Sequence, residues 1–211
     1  MRRKLFDVLA SAGGVVVVIV LIVAGSLGLW GYSFANSNVH NQLAEQQITF
    51  PALAAFSSAK AGTEITPGMI PYLEQYAGEP LVTGQQAEAY ADHFIAVHLQ
   101  EIGGGLTYSQ LSAKARSYPA GSKAAVAAEA TVTTVFQGTT LRGLLLEAYA
   151  FWTFGQIALF AAIASFALAA VMLVLVTIGA LHARRTPEDE ELLVHTNSKT
   201  PAKRELVGAS A

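Results

Sequence analysis

Residues 151–181 read FWTFGQIALFAAIASFALAAVMLVLVTIGAL, and residues 13–34 read GGVVVVIVLIVAGSLGLWGYSF; neither stretch contains Asp, Glu, Lys, Arg or His. A helix needs roughly 20 apolar residues to cross a bilayer, at a rise of about 1.5 Å per residue. The sequence therefore predicts an all-α protein with transmembrane helices at residues 13–35 and 151–182. Residues 36–150 between them are predicted to form a mainly helical domain.

The composition agrees with a membrane protein and excludes several other classes. The chain has 211 residues, of which 53% are hydrophobic and 13% are charged, whereas a soluble domain carries roughly 25% charged residues. The formal net charge of −2 gives no support for nucleic-acid binding. Because there is no cysteine, disulfides, thiol catalysis and Cys-ligated metal sites are excluded.

Basic residues beside the two spans predict the orientation of the chain. Arg2, Arg3 and Lys4 precede the first span, and Arg184 and Arg185 follow the second. Since positive residues stay on the cytoplasmic side, residues 1–12 and 183–211 are predicted to be cytoplasmic and residues 36–150 to lie outside the plasma membrane. The outer region has five basic and nine acidic side chains, which fits the exported side.

An alternative for the N-terminus is a cleaved signal peptide that ends near Ser33-Phe34-Ala35, a small-x-small site. Its apolar region is longer than the 7–15 residues typical of a signal core, which favours a retained anchor. Aromatic residues mark the outer edges of both spans, with Trp30 and Tyr32 at the first and Tyr149 and Trp152 at the second. These four are predicted to form an interfacial belt, because Trp and Tyr favour the membrane–water interface.

Capping signals and glycines predict where helices begin and end. The first span is expected to continue as a helix to Gln47. Thr83, with Gln86 three residues later, predicts a capping box at the start of a helix that runs to Ile102. Gly103-Gly104-Gly105 is expected to end that helix.

The last long helix is predicted to begin after a break at Gly138 and to run without interruption from Thr139 to Arg185, through the second span. Thr131–Val135 is a β-branched run that alone would indicate a strand. No partner strand is predicted, and an isolated strand is not stable, so helix is the favoured assignment. The polar tail after Arg185 is predicted to be disordered.

The candidates for catalysis or metal binding lie on the predicted 83–102 helix: Glu88, Asp92, His93, His98 and Glu101. Ligands on one helix must share a face, usually at spacings of three or four, whereas His93 and His98 are five residues apart. A solvated acidic face with two histidines is therefore the favoured interpretation, also for the isolated His40. The sequence predicts no catalytic residue, no metal site and no cofactor, and the protein is interpreted as a non-enzyme.

Small residues recur within both spans at spacings that let helices approach closely. The candidate helix-association residues are Gly25, Gly28, Ala158, Ala161, Ala162, Ser165 and Ala169. Three interpretations remain open: alanines that face lipid, packing of the two spans on each other, and association with another chain.

Three segments resemble a family of two-span membrane proteins of actinobacteria. They are YSFANSNVHNQL at residues 32–43, ITFP at 48–51 and FQGTTLRGLL at 136–145. The resemblance covers most of residues 13–185 and implies a two-span membrane protein without an established activity. Some members have been labelled ring-opening dioxygenases, but no iron-ligand set of two histidines and one carboxylate is apparent here.

These observations favour a structural or accessory plasma-membrane protein that forms a homo-oligomer or joins a larger membrane complex. The bilayer and that assembly are its predicted partners, and nucleic acid is not one. An alternative is an extracytoplasmic sensor or ligand-binding module that signals through a partner, with no ligand indicated. A third, less favoured hypothesis is an envelope or lipid enzyme that uses the Glu88–Glu101 helix.

Overall fold

The computed structural model describes residues 3–185, and these residues form helices and connecting turns without an extended strand. The predicted disordered tail lies outside the described residues. The α-helices are α1 (Arg3–Glu45), α2 (Leu53–Ser57), α3 (Ile70–Leu73), α4 (Gly84–Tyr90), α5 (Ala96–Ile102), α6 (Tyr108–Arg116) and α7 (Lys123–Arg185). A π-helical turn, Ala91–Ile95, joins α4 to α5, and 3₁₀ turns flank α3 at Pro67–Met69 and Glu74–Tyr76.

Helices α1 and α7 are the two long apolar helices that the sequence predicts. They contain 43 and 63 residues, so they are about 64 and 94 Å long at about 1.5 Å per residue. Helix α1 continues beyond the apolar stretch, as predicted, and ends at Glu45. Gln47 then adopts a left-handed conformation with φ 52°. The Phe50 amide donates to the Glu79 carbonyl at 2.9 Å, which holds the following loop in place.

The predicted capping box at Thr83 is confirmed, since its hydroxyl accepts from the Gln86 amide and the Gln86 side chain accepts from the Thr83 amide. A second capping box at Thr107 and Gln110 begins α6. Gly104 and Gly105 have φ values of 58° and 77°, so the glycine run ends α5 as predicted.

The predicted break at Gly138 is wrong, because α7 runs uninterrupted from Lys123 to Arg185. The absence of a side chain at Gly138 leaves room for Leu99, since a Cβ built there would lie 2.5 Å from Leu99 Cδ2. The β-branched run is helical, as favoured. The hydroxyls of Thr131, Thr133 and Thr134 each donate to the carbonyl four residues earlier, which satisfies these side chains within the helix.

The π turn has a physical cause in the spacing of the apolar residues on the 84–102 segment. Ala87, Ala91, Ile95 and Leu99 follow one another at intervals of four and belong to or pack against the core. In an α-helix, each such interval drifts by roughly 40° around the axis. The wider turn at Ala91–Ile95 corrects that drift and keeps both ends of the segment facing the core.

The described residues divide into two compact units, Ala24–Ser165 and the two chain ends, residues 3–23 with 166–185. In Ala24–Ser165, the core packs α1, α7 and the short helices together, with Phe50, Met69, Leu73 and Leu145 at 2% exposure or less. In the unit of the chain ends, Val18, Ala169 and Ala183 are the buried residues on α1 and α7 that carry apolar side chains.

Candidate functional site

The small residues of α1 and α7 face each other in the Ala24–Ser165 unit. A Cβ built on Gly28 would lie 2.9 Å from the Ala158 carbonyl oxygen and 3.1 Å from the Ala162 Cβ. A Cβ on Gly155 would lie 2.9 Å from the Ala35 Cβ. Here the backbones are so close that a larger side chain at either glycine would force the helices apart.

The same close packing at small residues occurs in the unit of the chain ends. A Cβ built on Gly14 would overlap the Val176 side chain, and one on Gly179 would lie 3.2 Å from the Ser11 hydroxyl oxygen. Ala169 is 5% exposed in this unit. Glycine and alanine therefore let α1 and α7 pack closely here as well.

The structure separates the predicted association residues into two groups. Gly25, Ala162 and Ala169 are buried, and Gly28 and Ala158 are half-buried. Ala161 is exposed, and Ser165 is half-buried, with a hydroxyl that donates to the Ala161 carbonyl at 2.8 Å. Most of this set lies against the facing helix, whereas Ala161 points away from it.

The predicted belt residues have different surroundings. Trp30 is 67% exposed and stacks on Phe34, with ring centroids 5.7 Å apart. Tyr32 and Tyr149 are half-buried. Trp152 packs against the core and against Gly84, where a Cβ would overlap the indole ring. Trp152 therefore connects the start of α4 to α7, a packing role that the sequence did not indicate.

The titratable residues of the 84–102 segment make separate contacts. An Asp92 carboxylate oxygen lies 2.6 Å from the Arg142 Nη2 on α7. His93 stacks on Tyr72 with ring centroids 3.5 Å apart, and His98 Nδ1 lies 2.7 Å from the Phe94 carbonyl oxygen. These side chains thus point towards three different partners.

Glu101 and His40 are exposed, and Glu88 is half-buried. Within residues 3–185, no group of three His, Cys, Asp or Glu side chains is placed to hold a metal ion. Among the described residues, Tyr90 has a clearly shifted pKa. Burial raises its pKa above the ordinary value of 10.0, and the negative charge of Glu64 raises the pKa further.

A groove of about 420 Å³ lies between the end of α1 and α7 in the Ala24–Ser165 unit. The lining residues are Asn38, Val39, Gln42, Leu43, Gln46, Leu141, Leu144, Leu145, Glu147, Ala148 and Phe151. Val39, Leu43 and Leu145 are buried and form its floor. The amides on α1 form one wall, and Leu141, Leu144 and Phe151 on α7 are exposed along the other.

Both walls of this groove are visible in the sequence as separate patterns, but the sequence does not show that the two walls lie side by side. Asn38, Gln42 and Gln46 are four residues apart, which places three amides on one face of a helix. Leu141, Leu144 and Leu145 form an apolar stripe on another helix. Only the antiparallel packing of α1 on α7, 100 residues later, brings the two rows together.

Comparison with protein-family models, with curated proteins and with solved structures finds no match to this chain.

Proposed function

We propose that this chain is a two-span integral membrane protein that acts as a non-enzymatic accessory or assembly subunit of the plasma membrane. The observation that carries the proposal is that the most apolar parts of α1 and α7 are exposed. In the most apolar 18-residue window of each helix, only 11% of the residues are buried. The core helix of a soluble protein would be mostly buried, whereas a lipid-facing helix keeps its large apolar side chains on the outside.

The contacts between the helices support the same proposal. In water, large apolar side chains would be buried and small ones would not be needed at the contact. In a bilayer, close backbone packing replaces the hydrophobic effect as the source of helix association. Gly28, Ala158 and Ala162 lie at the contact, while Leu27 and Phe160 are 62% and 70% exposed.

The proposed topology follows the positive-inside rule. Arg184 and Arg185 end the second span on the cytoplasmic side, and the domain between the helices lies outside. The aromatic rings of Trp30, Phe34 and Phe151 are then at the outer edge of the bilayer. The resemblance to two-span proteins of actinobacteria fits this layout.

A non-enzymatic role is supported by the way the outer domain uses its titratable groups. Asp92 is paired with Arg142, His93 stacks on Tyr72, and His98 contacts a backbone carbonyl. Each contact stabilises the packing of the 84–102 segment. We therefore assign these groups to structure and the function to assembly.

Native extraction of the full chain with an affinity tag on its tail tests this function. The expected result is a defined homo-oligomer or a stoichiometric membrane complex, and a partner-free monomer would contradict it. Ala161→Leu and Ala162→Leu are matched variants, because the first side chain is exposed and the second is buried against α1. Ala162→Leu is expected to lower the yield of folded protein, while Ala161→Leu leaves the fold intact and can weaken only contacts with another chain.

One observation favours the sensor alternative. Helix α7 is a single element from Lys123 in the outer domain to Arg185, so a ligand on the domain would act on the helix that also forms the second span. Ligand-dependent thermal stabilisation of the full chain, without a stable partner, would favour this alternative over the accessory role.

A further inference from the structure

The amide wall of the groove has unused hydrogen-bonding capacity. Gln42 Nε2 donates to Asn38 Oδ1 at 2.5 Å, which aligns two of the three amides. An amide side chain offers two donors and an acceptor with two lone pairs, and Gln42 and Gln46 are exposed. A row of donors and acceptors four residues apart matches a ligand that carries several hydroxyl groups.

The opposite wall is apolar although it lies outside the predicted span. Leu144 is 59% exposed and Leu141 is 37% exposed, at positions seven and ten residues before residue 151. Val39, Leu43 and Leu145 close the floor beneath them. The groove therefore suits a molecule with one hydrogen-bonding edge and one apolar face, and its volume of about 420 Å³ lies in the range of small-ligand sites.

The charge of the groove indicates whether its ligand is neutral or anionic. Among the described residues that line it, Glu147 is charged and none is basic. A carboxylate accepts hydrogen bonds from hydroxyl groups but repels phosphate. A neutral headgroup is thus favoured over an anionic one.

The position of the groove indicates where the ligand comes from. Phe151 lines one end, and its ring meets Phe34 edge-on at a centroid distance of 6.3 Å. In the proposed topology these rings lie at the outer edge of the bilayer. A lipid can keep its chains beside the spans while its headgroup reaches the groove.

We propose that this groove binds the neutral, hydroxyl-rich headgroup of a membrane lipid, with the amides of Asn38, Gln42 and Gln46 and the Glu147 carboxylate as its hydrogen-bonding partners. The proposal rests on the proposed function, because the groove adjoins the bilayer only if α1 and α7 cross it. No covalent step is involved.

The test uses the full chain in phosphatidylcholine nanodiscs that contain a minor fraction of a glucosyl diacylglycerol or, separately, of phosphatidylglycerol. Native mass spectrometry then counts the lipids that stay with the released protein. We expect retention of the glucosyl lipid above its bulk fraction and no such enrichment of phosphatidylglycerol. The double variant Asn38→Leu/Gln42→Leu is expected to weaken retention about tenfold, since it removes two hydrogen-bonding groups.

Gln137→Leu is the matched control, because it makes the same change at an exposed position of α7 away from the groove. Enrichment of phosphatidylglycerol, no enrichment of either lipid, or equal losses in the double variant and the control would each overturn the proposal. So would efficient disulfide dimerisation of Leu144→Cys, which would assign the groove to a second copy. Failure of the chain to enter nanodiscs would instead overturn the proposed function.

Discussion

Residues 123–150 and 151–165 of α7 are packed in different ways, although they belong to one helix. The first segment receives long side chains from the short helices: Leu99 fills the space over Gly138, and Asp92 pairs with Arg142. The second segment meets α1 through small residues, with Gly155 against Ala35. The same residue type, glycine, thus accommodates a side chain in one segment and a neighbouring helix in the other.

The proposed topology gives this difference a physical reason. Where water surrounds a domain, burial of Leu99 and similar side chains contributes stability through the hydrophobic effect. If lipid surrounds the helices, as proposed, that contribution disappears, and close packing of backbones takes its place. The boundary between the two packing modes lies near Trp152, where the start of α4 contacts α7.

The largest expected effect is from Gly28→Leu, which places a large side chain at a close backbone contact between α1 and α7. We expect the free energy of unfolding in detergent to fall by about 3 kcal/mol, because the added side chain overlaps the Ala158 backbone. Gly13→Leu is the control, since a Cβ there meets no atom within 4 Å. Equal melting temperatures for the two variants would show that the small residues do not determine this packing.

Asp92→Ala tests the packing of the short helices on residues 123–150 by removing the partner of Arg142. We expect the free energy of unfolding to fall by about 1 kcal/mol. Partial exposure of the pair limits the loss. The loss is not zero, because one Arg142 nitrogen is already buried without a partner and the variant removes the charge that compensates it. A double-mutant cycle with Arg142→Ala measures the coupling. Glu88→Ala removes a carboxylate from the same segment and should show no coupling to Arg142; a coupling equal to that of Asp92 would refute the specific pair.

Gly143→Ala and Gly138→Ala compare two glycines of α7 that differ in their surroundings. A Cβ on Gly143 meets no atom within 4 Å, whereas one on Gly138 crowds Leu99. Gly143→Ala should therefore stabilise the protein by up to about 1 kcal/mol through helix propensity. At Gly138 the displacement of Leu99 should cancel this gain. Thermal denaturation of both variants checks the difference, and equal stabilisation would argue against a packing role for Gly138.

Tyr90→Phe is expected to have the smallest effect on stability, and to show it only at high pH. The folded-state pKa of Tyr90 is raised above 10.0, so the folded protein retains a proton that the unfolded chain loses. Stability from this group is present below pH 10 and falls as the pH rises through the folded pKa. Unfolding at neutral and at alkaline pH should show that wild type loses more stability than Tyr90→Phe. A parallel decline in both would mean that other groups cause it.

Much of the helical architecture could be predicted because its signals are local. The capping box at Thr83 and the glycine run at 103–105 each act within a few residues, and the structure confirms them. The prediction at Gly138 is wrong because a glycine that makes room for a packed side chain looks the same in a sequence as one that ends a helix. The sequence could not show that Leu99 lies over it, 39 residues away.

The groove could not be predicted for the same reason. The amides on α1 and the leucines on α7 are visible as two patterns, but their meeting depends on the register between distant helices. The partners of Asp92 and His93 were also hidden, because Arg142 belongs to α7 and Tyr72 to α3. Local signals determine the helices, and long-range packing determines the candidate sites.

Cysteine labelling in intact cells tests the central claim, that α1 and α7 cross a membrane with residues 36–150 outside. The chain has no cysteine, so Ser37→Cys and Ser198→Cys each introduce a single thiol. A membrane-impermeant maleimide is expected to label Ser37→Cys in intact cells and Ser198→Cys only after permeabilisation. Labelling of Ser198→Cys in intact cells, or of Ser37→Cys only after permeabilisation, would contradict the account.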